Sequence, residues 1–322
     1  MFGQDIHFSQ YYNSPLRMNP ALNGIFNQDS RFIGNSKLQW QSVPVSYKTM
    51  AISYDTKVLS QKRSNGFYAW GLLMDYDWSG DSKLGNFHTA INGAYVKKIG
   101  DRSLISIGFQ MGLIQRHFTS DDLTFDRQFN GDIYDPKRGS GEIYDSRNKL
   151  IFDLGTGINY RYQMSDKRTK FDFGGAIFHP HSPNASFSKS DVVRLPRRIT
   201  GYILTTVKAT KKIDGIFNIY GQNQGNFNEF YGGGGIRYYI NQTKYNESSM
   251  FIGAHYRFGE SQDALIPMID FEHRNWKVGL SYDYTFSGFQ IANNGRGGPE
   301  LSFQYFISGV KGIKANKSCP IF

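Results

Sequence analysis

The sequence predicts an all-β fold: a transmembrane antiparallel β-barrel of about 14 strands, with non-strand chain at both ends. Three observations predict it. Apolar and polar residues alternate with period two in segment after segment. Short and long connections between those segments also alternate. Finally, the longest apolar stretch is Ala69–Met74, far below the ~18 residues a membrane helix needs.

Composition agrees. The chain has 322 residues, with 26 Phe and 21 Tyr, a content that suits strands. Mean hydropathy is −0.49, which does not exclude a barrel, because half of each barrel strand is polar. The single cysteine, Cys319, excludes a disulfide framework within the chain. Met1–Asp5 lacks the basic start and apolar core of a secretory leader. The net charge of +10 is scattered over strand ends, as at Lys97–Lys98, Lys167–Arg168 and Lys211–Lys212. That pattern reads as solvated turns, and no nucleic-acid partner is expected.

Residues 1–30 come first and cannot be strand. Pro15 and Pro20, with Asn13, Asn19, Asn23 and Gly24, are turn chemistry. Such backbone cannot face lipid. It belongs in the periplasmic mouth, in the lumen as a plug, or against a partner. Phe8, Tyr11, Tyr12, Leu16, Met18, Leu22, Ile25 and Phe26 argue against a freely solvated tail.

The barrel is expected over 31–309. Its clearest strands read "FYAWGLLMDYDW", "LISIGFQMGLIQR", "IFDLGTGINYRYQ", "MFIGAHYRF" and "WKVGLSYDYTF". In the second, Ile105, Ile107, Phe109, Met111 and Leu113 oppose Ser106, Gly108, Gln110 and Gly112. The apolar face of all five carries no charge. Further strands are expected near 31–42, 47–58, 86–98, 171–178, 198–208, 213–222, 228–240, 264–272 and 299–309. Short connections near 59–66, 98–102, 164–170, 208–213, 241–248 and 273–275 alternate with longer ones such as 117–149 and 179–196. An even strand number with short periplasmic turns puts both termini, including the tail 310–322, on the periplasmic side.

Alternation alone does not say which face meets lipid. A barrel of this size is too wide for side chains to fill, since about eight strands already make a full core. An apolar lining would leave a void, so the apolar face is assigned to lipid. Closure then pairs every backbone N–H and C=O, as hydrocarbon demands. The competing architecture is a two-sheet sandwich array or a pair of soluble β-domains. Asp75, Asp77, Asp153, Arg161, Arg257 and Asp283 fall on the inward face. They suit either a channel lining or lumen salt bridges. Trp70, Trp78, Trp276, Tyr68 and Tyr76 suit interfacial girdles.

Motifs for chemistry are weak. His179 and His181 are two potential metal ligands without a third, and read as an exposed loop. Asp132, Asp135, Glu142 and Asp145 lack EF-hand spacing. Gly232–Arg237 has no following Lys-Ser/Thr and is not a phosphate loop. Asn293–Pro299 reads as a tip turn. His88, His255 and His273 have no recognisable serine context. No enzyme activity, metal or cofactor is expected.

Both ends of the chain resemble one known family. Gln4–Asp5, Phe8–Tyr11, Asn19–Ala21 with Gly24, Gln39–Trp40, and a final Cys319, Pro320 and Phe322 are similar to the PorP/SprF pattern. Leu22 and Ile321 depart from it, standing where an aromatic and a basic residue are usual. The resemblance implies an outer-membrane component of the type IX secretion and gliding apparatus of Bacteroidetes. It would support export and attachment of particular substrates, such as large surface adhesins. Implied partners are periplasmic ring and lipoprotein subunits and the C-terminal sorting domain of a secreted adhesin. Candidate contacts are Tyr11, Tyr12, Asn19, Pro20, Gln39 and Trp40, with Cys319, Pro320 and Phe322 in the tail. A passive pore or an apolar-solute channel is the alternative role.

Overall fold

The computed structural model describes residues 5–39, 47–58, 65–79, 84–119, 124–135, 137–139, 147–166, 168–188, 192–243, 246–259, 263–286 and 296–308. Among them, antiparallel strands close into one barrel. They are β1 (Ser30–Gln39), β2 (Tyr47–Val58), β3 (Gly66–Ser79), β4 (Leu84–Lys98), β5 (Ser103–His117), β6 (Asn148–Gln163) and β7 (Lys170–Phe178). On the second half lie β8 (Arg198–Lys208), β9 (Ile213–Gln224), β10 (Phe227–Asn241), β11 (Ser248–Gly259), β12 (Ala264–His273), β13 (Trp276–Thr285) and β14 (Arg296–Ile307). Each strand pairs with its chain neighbour, and β1 pairs with β14 from Ser30↔Ile307 to Lys37↔Glu300. The described strands therefore leave no free edge, although the β12–β13 pairing is interrupted at Ile266 and Pro267.

The side-chain alternation is the predicted one. On β5, Ile107 is 60% exposed and Phe109 52%, whereas Ser106 and Gln110 are each 1% exposed. The exposed face forms an apolar belt of the kind that outer-membrane barrels present. One boundary differs from expectation. β14 begins at Arg296, so Gly297–Pro299 extend the strand, while Asn293–Gly295 lie outside the described residues.

The connections define two mouths. Six links, from 59–65 to 274–275, gather at a short-turn mouth. At the other mouth lie the strand ends that flank 118–147 and 179–197, together with those joined by briefer links such as the two residues between β9 and β10. Loop length is therefore uneven at the long-loop mouth.

The lumen is not left to water. Residues 5–29 run through it as a plug. Tyr11–Asn13 and Pro20–Leu22 each form one 3-10 turn, and α1 (Pro15–Met18) one α turn. Pro15 starts α1, where its missing N–H costs nothing. The Asn19 side chain accepts from Ala21 N–H at 2.8 Å and so opens the next turn. The plug supplies the filling that a barrel this wide cannot draw from its own wall. The apolar core lies here. Tyr11, Met18, Leu22 and Ile25 pack with Tyr220, Tyr231, Phe251, Ile266 and Met268 on the inner wall.

The course of the plug corrects one expectation. β14 does end at the short-turn mouth, beside the start of β1. From there, however, the N-terminal chain crosses the whole lumen. Asp5 sits at the long-loop mouth, bonded to Gln224 at the end of β9. The two described ends of the chain thus lie at opposite mouths. Local turn chemistry in the segment cannot encode that direction; contacts with the wall impose it.

Candidate functional site

The contact between plug and inner wall is the candidate site. It begins with charge. Arg17 is the single charged residue between Phe8 and Phe26, and it is buried. Its guanidinium bonds Asp75 of β3 and donates to the Ile6 carbonyl at 3.0 Å. Asp75 also meets His88 Nδ1 of β4 at 3.3 Å. His88 Nε2 lies 3.4 Å from Asp153 of β6. The other oxygen of Asp153 meets His179 Nδ1 at 2.5 Å, and His179 Nε2 meets Asp5 at 2.7 Å. Arg198 of β8 completes the chain, 3.2 Å from Asp5. Opposite charges thus alternate from the plug, through three strands and a loop, back to the plug.

His179 is the keystone of this chain. Its φ of 54° is left-handed, uncommon for a residue with a side chain, and bonds on both ring nitrogens hold it there. Burial pushes its imidazole pKa down, but the Asp5 and Asp153 carboxylates outweigh burial and hold it up at about 9. Burial likewise raises Asp5, yet His179, Arg198 and Arg17 keep its carboxyl well below the usual range. The ion pair is therefore charged at neutral pH. His7 behaves oppositely. Burial takes it down to about 4 despite Glu229 at 3.8 Å, so that contact is not an ion pair at neutral pH. A cavity of about 100 Å³ adjoins the His88–Asp153 part of the network.

A second anchor lies across the lumen. The backbone N–H groups of Ser9 and Gln10 donate to the two carboxylate oxygens of Glu300, at 2.7 and 2.8 Å. Ser9 Oγ donates to Asp283 at 2.8 Å, and Arg257 and Lys37 flank Asp283 at 2.9 and 3.4 Å. Next to it, Tyr11 stacks on Tyr220 with centroids 4.8 Å apart and tilts against His255 at 5.4 Å.

Lower down, the contacts become backbone to wall. Asn19 donates to the carbonyls of Ile158 and Gly175 at 2.9 and 3.2 Å, and to Tyr202 Oη at 3.1 Å. Ser106 Oγ donates to the Ala21 carbonyl at 2.7 Å. Glycine makes this approach feasible. A Cβ on Gly157 would fall 2.1 Å from Asn19 Oδ1, and one on Gly108 would fall 2.2 Å from Ala21 N.

The expected lumen residues Asp75, Asp153, Arg161, Arg257 and Asp283 all face inward, and each is ion-paired. The expected partner residues divide. Tyr11, Asn19 and Pro20 are buried and Tyr12 is half-buried within the lumen, with Tyr12 Oη 3.3 Å from Asp270. Their contacts in the structure are with the barrel itself. Gln39 ends β1, paired with Tyr47. Trp40, Cys319, Pro320 and Phe322 lie outside the described residues.

His179, read as exposed loop, is instead 2% exposed. His181 stays exposed and meets the Phe152 carbonyl at 3.0 Å. Sequence reasoning also missed Asp5, Lys37, His88 and Glu300. Only Arg17 carried a usable signal, as a lone charge in an apolar segment beside an acidic inner face. Among the described residues, no three His, Cys, Asp or Glu side chains group as metal ligands.

A closed barrel with an apolar belt and a lumen filled by its own N-terminal segment is a plugged barrel of the outer-membrane type. Among solved structures, it is similar to the toluene transporter TbuX of Ralstonia pickettii, at 9% identity and a TM-score of 0.51 over 92% of this chain and 94% of that one. It is equally similar to a deltaS2 mutant of the monoaromatic hydrocarbon channel TodX, at 8% identity and a TM-score of 0.51 over 92% and 94% of the two chains. At such identities the likeness concerns fold. No curated protein matches the sequence. The chain belongs to the family described as type IX secretion system membrane protein PorP/SprF, whose model matches residues 1–305. Family and fold together give it a secretion-related role in the outer membrane.

Proposed function

We propose that this protein is a non-enzymatic scaffold of the type IX secretion and gliding apparatus. It supports export and surface attachment of specific substrates such as large adhesins. In this reading it binds the C-terminal sorting domain of a substrate, together with periplasmic ring and lipoprotein subunits. The supporting observation is the plug, tied to the wall by ion pairs on one side of the lumen and by hydrogen bonds to Glu300 and Asp283 on the other. A lumen sealed in this way suits a partner-binding body better than an open pore.

With Tyr11, Tyr12, Asn19 and Pro20 engaged inside, partner contacts fall to the mouths. Gln39, the last residue of β1, lies on the long-loop side. β14 ends on the short-turn side, which this reading directs to the periplasm. The non-enzymatic reading rests on where the histidines are engaged. His88 and His179 lie in a chain of carboxylates, and His255 packs on Tyr11.

The second reading is an apolar-solute channel, favoured by the likeness to TbuX and TodX, themselves a transporter of toluene and a monoaromatic hydrocarbon channel. Purification from native membranes in mild detergent separates the two. The scaffold should bring secretion subunits with it and stay silent in planar bilayers. Recovery of the barrel alone, with steady conductance, would reverse the ranking.

A further inference from the structure

The plug fills the lumen unevenly. At the short-turn mouth it leaves a cavity of about 380 Å³, a size typical of ligand sites. The apolar part of its lining comes from the plug, through Leu22, Ile25 and Phe26, and from Phe251 of β11. The polar part comes from charged side chains near the short-turn ends of the strands.

Most of those charges are matched within the barrel. Arg161 holds Asp172 through two hydrogen bonds, at 2.7 and 2.9 Å. Arg168 pairs with Asp214, and Lys277 with Asp270 at 2.8 Å. Lys170, at the start of β7, is different. Its backbone is paired in the sheet and it lines the cavity, yet among the described residues its ammonium group has no hydrogen-bond or ion-pair partner. Arg161 and Arg237 repel it, against attraction from Asp172 and Glu272. Arg237 lines the same cavity, with Glu272 as its main opposite charge. Glu272 attracts both groups and Glu247 also lines the cavity, but seven basic side chains against five acidic ones leave the lining with an excess of positive charge that suits a further anion.

We propose that this vestibule binds an acidic, partly apolar peptide segment of a secretion partner, with a carboxylate between Lys170 and Arg237 and an apolar side chain against Leu22, Ile25 and Phe251. The inference rests on the scaffold reading above, which supplies a protein partner on this side. Two features favour a peptide over other anions. The cavity is bounded by the short-turn ends of the strands rather than by the lipid-facing belt. It also presents apolar surface that an inorganic anion would leave uncovered.

The test uses the full chain in detergent micelles. One probe is a fluorescent peptide of alternating Glu and Leu, and the other is its Lys and Leu counterpart. The acidic probe should bind and weaken as salt rises, and the basic probe should not bind. Lys170→Gln and Arg237→Gln should each weaken binding about tenfold, as expected for a charge-assisted hydrogen bond. Lys170→Arg should retain binding, and so should Lys212→Gln in a turn outside the cavity. Lys170→Arg keeps the test decisive if the neutral variant fails to fold.

Four results would overturn the proposal. They are no binding of the acidic probe, equal binding of both probes, indifference to both neutral substitutions, or equally strong competition by inorganic phosphate, which would mean a simple anion site. None of these touches the co-purification of secretion subunits, so failure here is distinguishable from failure of the scaffold reading.

Discussion

The two mouths of this barrel handle charge in opposite ways. At the long-loop mouth, the plug joins the network. Asp5 and Arg17 complete a run of alternating charges that includes His179, Asp153, His88 and Asp75. At the short-turn mouth, the wall charges largely pair among themselves, and the plug offers mainly apolar side chains to an open cavity. The first arrangement closes the lumen. The second leaves a recess with an unmatched lysine. A segment ion-paired to the wall at one mouth and bordering a cavity at the other is suited to seal a barrel while receiving something from the opposite side.

That contrast can be tested in order of expected effect. Deletion of residues 5–28 removes both the filling and the network. It should convert a silent barrel into one with steady conductance in planar bilayers; continued silence would mean that the loops, not the plug, close the lumen. Arg17→Ala comes next. It leaves Asp75 buried without its guanidinium, at a cost of about 3–5 kcal/mol. The expected readout is early proteolysis of the N-terminal segment while the barrel keeps its heat-resistant migration in gels. Equal protection of variant and parent would show that the charge chain does not hold the plug.

Gly157→Val acts halfway down the lumen, where a Cβ would strike Asn19. The cost of such overpacking is about 1–3 kcal/mol. It should raise plug accessibility at Asn19 more than at Asp5, as read by hydrogen exchange. A uniform rise along the segment would mean that the plug moves as one body, and would blur the distinction between the mouths.

The smallest effect is a pH dependence confined to the long-loop mouth. His179 is held up at about 9, so its contribution is complete below its ordinary value near 6.5 and is lost as pH rises through 9. Asp5 is held down, so its contribution is present above about 4 and fades as pH falls below that. The plug should therefore be most protected between about pH 4 and 6.5, and should loosen by on the order of 1–2 kcal/mol between pH 7 and 9. His179→Gln should flatten the alkaline limb of protease protection against pH. An unchanged limb would place the titrating group elsewhere.

Legibility in the sequence follows the range of the interaction. The strand Ser103–His117 was readable because alternation such as Ile107, Gly108, Phe109 and Gln110 is a property of consecutive residues. The N-terminal segment was readable only as non-strand, through Pro15, Pro20 and its asparagines. Its course through the lumen was not, because each anchor joins residues far apart in the chain. Ser9 meets Glu300 across 291 positions, and Asp5 meets Gln224 across 219. His179 looked like an exposed loop because its two partners come from separate elements. Tyr231, Phe251, Ile266 and Met268 broke the polar rule of the inner face, and their reason lies in the plug that covers them.

By itself, the sequence determined the barrel, its belt and the existence of an unusual first segment. A ladder needs only a regular backbone, and lipid needs only one apolar face, so neighbouring residues carry both requirements. The tertiary structure alone decided which charges meet, which glycines admit the plug and which mouth keeps a cavity. Those outcomes depend on the width left inside a closed wall, and no single strand encodes that width.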